Sequence, residues 1–399
     1  MNKCNNFIFY FKVIFSSNWR HGNKILYISI FACISVIFYH HYNIGYVISS
    51  DSLSYSKWSD ILIKLNFNFY KYFTQNTFIA PNYIYTIPVL IIALLKIFFE
   101  TEWQIVFMNL NLLLLFFSLI LFSKSLLLLK VRPLIISFAM PVLLMSVDLL
   151  TWPRYLLTDM IFSFLIMLLI YVMIKSIVNE KINYFYLSFL ITLIFFTRPT
   201  SLPFIFAILS YVGLSKIKYS YSRKFILIST LILILIVPMI YSIIFQLMNI
   251  FLLHTPKALF LIEMVNQGMI IHDRPETWVD APNSFFEVAL LYFFRFIFFF
   301  NPYADSFSKI HIIINLFQTL LIISSIIIFI FLKSNAKSIK KSLILILMIS
   351  FSVAFFHSFT LIDYDWRYRF PIIMPLIMIL PMALEILIRN IRSKKIIEK

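Results

Sequence analysis

The sequence predicts an all-α polytopic membrane protein with about 10–12 transmembrane helices, and three observations carry that prediction. The first is composition: of 399 residues, 61% are apolar and only 13% charged, whereas a soluble domain is about a quarter charged. The second is a series of apolar stretches near 25–46, 81–99, 104–122, 133–150, 158–174, 183–197, 200–215, 225–248, 286–300, 310–332, 342–361 and 370–388. Each approaches the roughly 20 residues that a helix needs to cross the hydrocarbon. The third is the placing of basic residues between stretches: Lys124/Lys130/Arg132, Lys175/Lys181, Lys216/Lys218/Arg223/Lys224, Lys333/Lys337/Lys340/Lys341 and the tail from Arg389 to Lys399. Such clusters mark the cytoplasmic side. The net charge of +17 is therefore an orientation signal. It points to a lipid bilayer as partner, and no nucleic acid is expected.

The stretches are justified in order. Lys3, Lys12, Arg20 and Lys24 precede the first run, and no small-x-small cleavage site follows it, so it reads as a span starting inside rather than a cleaved signal. The stretch 81–99 is interrupted by Pro81 and Pro88 and carries Lys96, while 286–300 is short and has Arg295 in its middle. If both crossed, the charge alternation would break twice. Ten crossings with both termini cytoplasmic keep it intact. The chain reads as one integral membrane domain, 1–399, with two long outer loops. The loop 47–80 contains "WSDILIKLNFNFYKYF", in which Trp58, Ile61, Leu62, Leu65 and Phe69 recur at helical spacing, and this predicts an amphipathic helix lying along the membrane. The loop 249–285 is polar enough for a small extramembrane subdomain. Cys4 and Cys33 make no disulfide or metal framework. The 46 phenylalanines and 4 glycines fit an AT-rich coding bias without functional meaning.

On this topology every one of the 17 acids except Glu180, Glu385 and Glu398 faces outward. Acids contribute little to orientation, so the bias points to chemistry on the outer face. Asp51, in "SSDSLSY", lies just past the first span, where it is either a helix-terminal acid or a base held at the membrane. Tyr55, in the same stretch, is a further candidate. Asp159, in "RYLLTDMIF", opens a span, and Thr158 or Asp159 is expected to cap that helix; Arg154 lies close by. "FFTRPTSLPF" puts Arg198 at an outer turn between prolines, suited to gripping a phosphate or to snorkelling toward lipid headgroups. "LIDYDWRYRFPIIMP" gathers Asp363, Asp365, Arg367 and Arg369, either as phosphate ligands or as a salt-bridged rim. In "IIHDRPETW", His272 and Glu276 could join a metal site, although their spacing fits no standard zinc motif and a solvated loop reads better.

Taken together, "SSDSLSY" before an interfacial helix, "PNYIYTIPVL", "RYLLTDMIF", "TRPTSLPF" and "DYDWRYRFPIIMP" resemble the polyprenyl-phosphate-sugar-dependent glycosyltransferases of the GT-C superfamily. The likeness is to relatives of bacterial protein O-mannosyltransferases and lipid A aminoarabinose transferases. It implies a GT-C-like bundle with interfacial helices in the first outer loop. It also implies an inverting transfer from a polyprenyl-phosphate-sugar donor to a glycan or lipid acceptor on the outer face of a bacterial plasma membrane. Carried residue by residue, it makes Asp51 the catalytic base and gives Asp159 a site-shaping role, sometimes through a divalent metal (Mg, Mn or Zn) shared with Asp51. It assigns Arg198, Arg367 and Arg369 to the donor phosphate, and Arg154 is added for its closeness to Asp159. The chain departs from the family in having no second acid beside Asp51 and in carrying Ala80-Pro81-Asn82-Tyr83 where a histidine-proline pair is common. Metal dependence is the feature those departures touch.

Two other readings compete. An O-antigen polymerase would rely on outer-loop arginines more than on a first-loop acid. A transporter or flippase for lipid-linked sugars would carry ionisable groups at mid-depth, and these spans hold almost none. No internal repeat marks two matching halves.

Overall fold

Apolar runs bounded by proline, serine and basic residues fold into helices along the chain. The computed structural model describes residues 19–75, 82–216, 267–268, 280–303, 307–332, 336–359 and 366–397. The predicted stretch 225–248, most of the loop 249–285 with His272 and Glu276, and the pair Asp363 and Asp365 lie outside them. The described chain is helical, with one isolated bridge between extended segments. Six helices are long and apolar enough to span a bilayer, or seven if the bent pair Pro133–Leu144 and Val147–Arg154 counts as one span. The protein is thus an all-α polytopic membrane protein. Of the ten expected crossings, the helices Tyr184–Phe195 and Pro199–Leu214 are too short for a full span by length alone. The chain divides into two compact units, each taken by itself.

The first unit comprises Met1–Leu202, Pro302–Leu347 and Phe370–Lys399. Helix α1 (Trp19–Ile44) leads into an amphipathic pair, α2 (Ser50–Lys64) and α3 (Phe69–Gln75), and then α4 (Thr86–Phe99). A long helix α5 (Trp103–Leu128) follows, then α6 (Pro133–Leu144), bent by 70° into the short α7 (Val147–Thr151). Next come α8 (Asp159–Asn179) and α9 (Tyr184–Phe195). After α10 (Leu202–Lys216) and α11 (Phe285–Phe299), α12 (Lys309–Phe331), most of whose apolar face is left outside the packing, α13 (Lys337–Phe359) and α14 (Phe370–Ile397) complete the series. Within this unit α5 packs along α8, and α14 packs on α5, α6, α8 and α12.

One end of this unit is knotted by a buried acid. Glu385 of α14, 3% exposed, accepts from the Arg132 backbone N–H at 3.1 Å, from Arg132 Nε at 3.0 Å and from Arg389 Nε at 2.8 Å. Arg389 also donates to the Lys130 carbonyl at 2.7 Å. The carboxylate meets the amino end of α6, where the helix dipole favours negative charge. A buried charge needs this many partners to offset its lost hydration. Lys130 and Arg132 belong to a cluster that the sequence assigns to the cytoplasm, so this is the basic end.

The amphipathic stretch is helical, as its spacing predicts, and its apolar stripe packs against a neighbouring helix. Leu62, Tyr72, Val89 and Ala93 form a buried cluster, with Trp58, Ile61, Leu65 and Phe69 packed against it. The stripe of α2 and α3 is therefore covered by α4. Lys96 of α4 clamps the arrangement, donating to the Ser56 carbonyl at 2.9 Å, Ser56 Oγ at 2.8 Å and Asp60 at 2.7 Å, with its ammonium over the Trp103 ring. Periodicity marks an apolar face without saying what covers it. Contacts near both ends of α4 fix its place in the unit. Ile87 N–H bonds the Phe196 carbonyl at 3.1 Å, and Asn111, two turns into α5, bonds the Pro153 and Tyr155 carbonyls at 3.1 and 3.2 Å. Both flanks of α4 thus attach to turns at the end opposite the basic one.

The second unit comprises Pro203–Asn301 and Met348–Arg369. Arg295, fully buried on α11, donates from Nε to the Ser358 carbonyl at 3.1 Å and from Nη2 to the His357 carbonyl at 3.3 Å. These carbonyls belong to the last turn of α13, where intrahelical partners run out. The arginine that made 286–300 look unable to span is a cap for a neighbouring helix.

Candidate functional site at the end opposite the basic cluster

The site is assembled from turns that the sequence places far apart. After α1 the chain extends through Gly45 to Ser49, and after α7 it extends from Tyr155. The two segments run side by side as an isolated parallel bridge between Val47 and Tyr155. Val47 N–H donates to the Arg154 carbonyl at 3.0 Å, and Leu156 N–H donates to the Val47 carbonyl at 3.1 Å. Arg154 Nε donates to the Gly45 carbonyl at 2.9 Å, and His41 Nε2 lies 2.7 Å from the Leu150 carbonyl, which makes it the protonated nitrogen. Gly45 has φ +81°, a conformation that only glycine takes without cost.

Asp51 sits in the first turn of α2, half-buried. Its helix begins with a capping box: Ser52 N–H donates to Ser49 Oγ at 3.3 Å, and Ser49 N–H donates to Ser52 Oγ at 3.0 Å. Such a box fixes where the helix starts. Tyr55, one turn on and 5% exposed, packs its ring against Trp58 and Tyr85, with centroids 5.7 and 5.2 Å away. It joins the wall that carries Asp51.

Asp159 occupies the first turn of α8 and is 1% exposed. The expected cap differs in detail. Thr158 stands at the N-cap with helical rather than extended backbone, and its side chain makes no capping bond. The Asp159 carboxylate instead receives Arg198 Nη1 in a buried ion pair, Arg198 being 3% exposed. Arg198 is carried by the turn between α9 and α10, extended and followed by Pro199, which stops α9 from continuing. The structure therefore joins two candidates that stand 39 residues apart in the sequence. Close in sequence to the two charges, the buried hydroxyls Thr158 Oγ1, Ser163 Oγ and Ser201 Oγ have no hydrogen-bond partner among the described residues.

Of the remaining candidates, Arg154 spends its Nε on the strap to Gly45. In the second unit, Arg367 and Arg369 lie on the 3-10 turn Trp366–Arg369, and Arg369 Nη1 donates to the Asn301 carbonyl at 2.8 Å. His272, Glu276, Asp363 and Asp365 lie outside the described residues. Asp148, a loop acid by the sequence, accepts from Trp152 Nε1 at 2.9 Å. Among the described residues no group of three His, Cys, Asp or Glu stands together to hold a metal ion. Asp159, one of the two carboxylates offered to a metal by the resemblance, is already engaged by a guanidinium. That donor set does not fit a divalent cation. Sequence reasoning missed Asn111, whose amide carries the Pro153 and Tyr155 carbonyls. The available signal was a carboxamide inside the apolar run "FMNLNLLLLFF".

Fold and site together define a polytopic membrane protein with a polar, helix-opening site at one end of its first unit. No family model matches the chain, and no curated protein or solved structure matches it.

Proposed function

We propose that this chain is an inverting membrane glycosyltransferase, moving a sugar from a polyprenyl-phosphate donor to a cell-envelope glycan or lipid acceptor at the outer face of a bacterial plasma membrane. One observation carries the reading. The helix openings bearing Asp51 and Asp159 are strapped together within a few residues of both acids, and Arg198 is held on Asp159 at that same end. The basic cluster of Arg132 and Arg389 occupies the other end, as expected for a site facing away from the cytoplasm.

In this mechanism Asp51 accepts the proton of the acceptor hydroxyl as its oxygen attacks the anomeric carbon. The bond from that carbon to the phosphate oxygen breaks from the opposite face, and the electron pair leaves with the polyprenyl phosphate. The leaving group is a phosphate monoester, whose growing negative charge is stabilised by fixed guanidinium groups. Arg198 takes that role here, with Asp159 holding its orientation. The resemblance gives Arg367 and Arg369 the same task, and the mechanism routes no step through a metal.

Asp51→Asn is expected to abolish transfer while leaving insertion and expression intact. The assay compares the surface glycan of the host carrying the wild-type gene, the variant or no gene. A sugar present only with the wild type supports the reading, and full modification by Asp51→Asn refutes it. Unchanged repeat units with altered chain length would identify a polymerase instead.

A further inference from the structure

We infer that Arg154 is a positioning residue for the Asp51 carboxylate, acting through the strap between the two helix openings rather than by gripping the donor phosphate. The inference rests on the reading of Asp51 as base. His41 and Leu150 are separated by 109 residues, and so are Gly45 and Arg154. Val47 and Leu156 continue the same register. The two segments are therefore zipped in parallel, and a slip at one link would displace the others. Val47 joins them twice through its main chain, while Arg154 joins them once from its main-chain carbonyl to Val47 and once from its side chain to Gly45.

Beyond the strap neither side has any slack. One residue, Ile48, separates Val47 from the N-cap Ser49 of α2, and one residue, Leu157, separates Leu156 from the N-cap Thr158 of α8. Asp51 and Asp159 then fall in the first turns of their helices. The strap thus sets the relation of one acid to the other, and the Ser49–Ser52 capping box passes that constraint to Asp51. A side chain whose Nε is committed to a neutral carbonyl in this lattice serves geometry. Misplacing a reacting group by about 1 Å can cost roughly a hundredfold in rate. Gly45 provides an independent handle. Its φ of +81° is strained for any other residue, yet a Cβ added there meets nothing within 4 Å. Gly45→Ala therefore perturbs the strap through the backbone while leaving Arg154 in place.

The test uses the full chain in nanodiscs as wild type, Arg154→Gln, Gly45→Ala and Asp51→Asn. Hydrogen exchange at the Val47 and Leu156 amides reads the strap. Binding of undecaprenyl phosphate reads the phosphate site, and its release from undecaprenyl-phosphate-linked hexoses reads turnover. Arg154→Gln and Gly45→Ala are both expected to lose amide protection and at least about tenfold in turnover, with undecaprenyl phosphate affinity held within about twofold. Asp51→Asn should lose turnover with the amides still protected. Weakened undecaprenyl phosphate binding in Arg154→Gln but not in Gly45→Ala would overturn the positioning role and make Arg154 a phosphate ligand. Loss of amide protection in both variants with turnover intact would overturn it as well. Turnover by Asp51→Asn would remove the reading beneath the inference, a result distinguishable because the exchange data on the strap would stand.

Discussion

Removing the Arg198 guanidinium strands a carboxylate that is 1% exposed at the opening of α8. Arg198→Met keeps the apolar stem and deletes the charge, so Asp159 is left without its guanidinium partner in a buried setting. Truncating one partner of a buried pair costs about 3–5 kcal/mol, because the survivor keeps its desolvation penalty and loses its compensation. Removing both charges together, as in Asp159→Leu with Arg198→Met, avoids that penalty and is often close to neutral. The double variant is therefore expected to recover at least about 2 kcal/mol relative to the sum of the single variants, within the range seen for residues in contact. Unfolding in mixed detergent micelles, followed by tryptophan fluorescence, measures the four corners of the cycle. A single variant that costs less than about 1 kcal/mol, or a double variant as unstable as the sum of the two single ones, would refute the argument that the pair is held together by its own burial. Activity is a separate axis, since the double variant regains stability without regaining a cation for the donor phosphate.

Two further predictions concern the scaffold. Burial pushes the Tyr72 phenol up from 10 to about 12, and its hydroxyl has no hydrogen-bond partner among the described residues. Its stabilising effect is fully present below pH 10, where the unfolded chain also stays neutral, and is lost as pH rises from 10 to about 12. Tyr72→Phe should flatten this part of the stability profile and be neutral to about 1 kcal/mol more stable at neutral pH, as read by alkaline denaturation. Arg295→Met should cost about 1–3 kcal/mol by leaving last-turn carbonyls of α13 unsatisfied, and detergent unfolding that matches the wild type would contradict the capping role.

The spans were legible in the sequence because hydropathy and charge act locally: the predicted stretches 104–122, 158–174 and 310–332 begin within a residue of α5, α8 and α12, although α5 and α8 run five or six residues further at their C-terminal ends. The expectation that 81–99 does not cross rests on equally local signals, Pro88 and Lys96. The acids at helix openings could also be read, since Asp51 and Asp159 both lie in first turns. The pairing of Asp159 with Arg198 could not, because nothing in either motif states which of several outer cations the carboxylate meets. Nor could the cover over α2, since an apolar stripe looks the same whether lipid or α4 lies on it. The capping role of Arg295 was hidden for a related reason: a charge in an apolar run signals cost, while its relief comes from a helix distant in sequence. The strap is the least legible part, because main-chain hydrogen bonds leave no side-chain signature, and only Gly45 hints at it.

Helix α1 is tied near both of its ends. A Cβ added at Gly22 would lie 3.3 Å from Pro133 Cβ at the start of α6, and His41 is bonded to Leu150 at the end of α7. The stretch from Gly22 to His41 rises about 28 Å as an α-helix, close to the roughly 30 Å thickness of the hydrocarbon. The distance from the start of α6 to the end of α7 is consequently matched by a protein strut. In a thicker or thinner bilayer the membrane must deform or the whole unit must tilt, while the spacing between the two helix openings stays as it is.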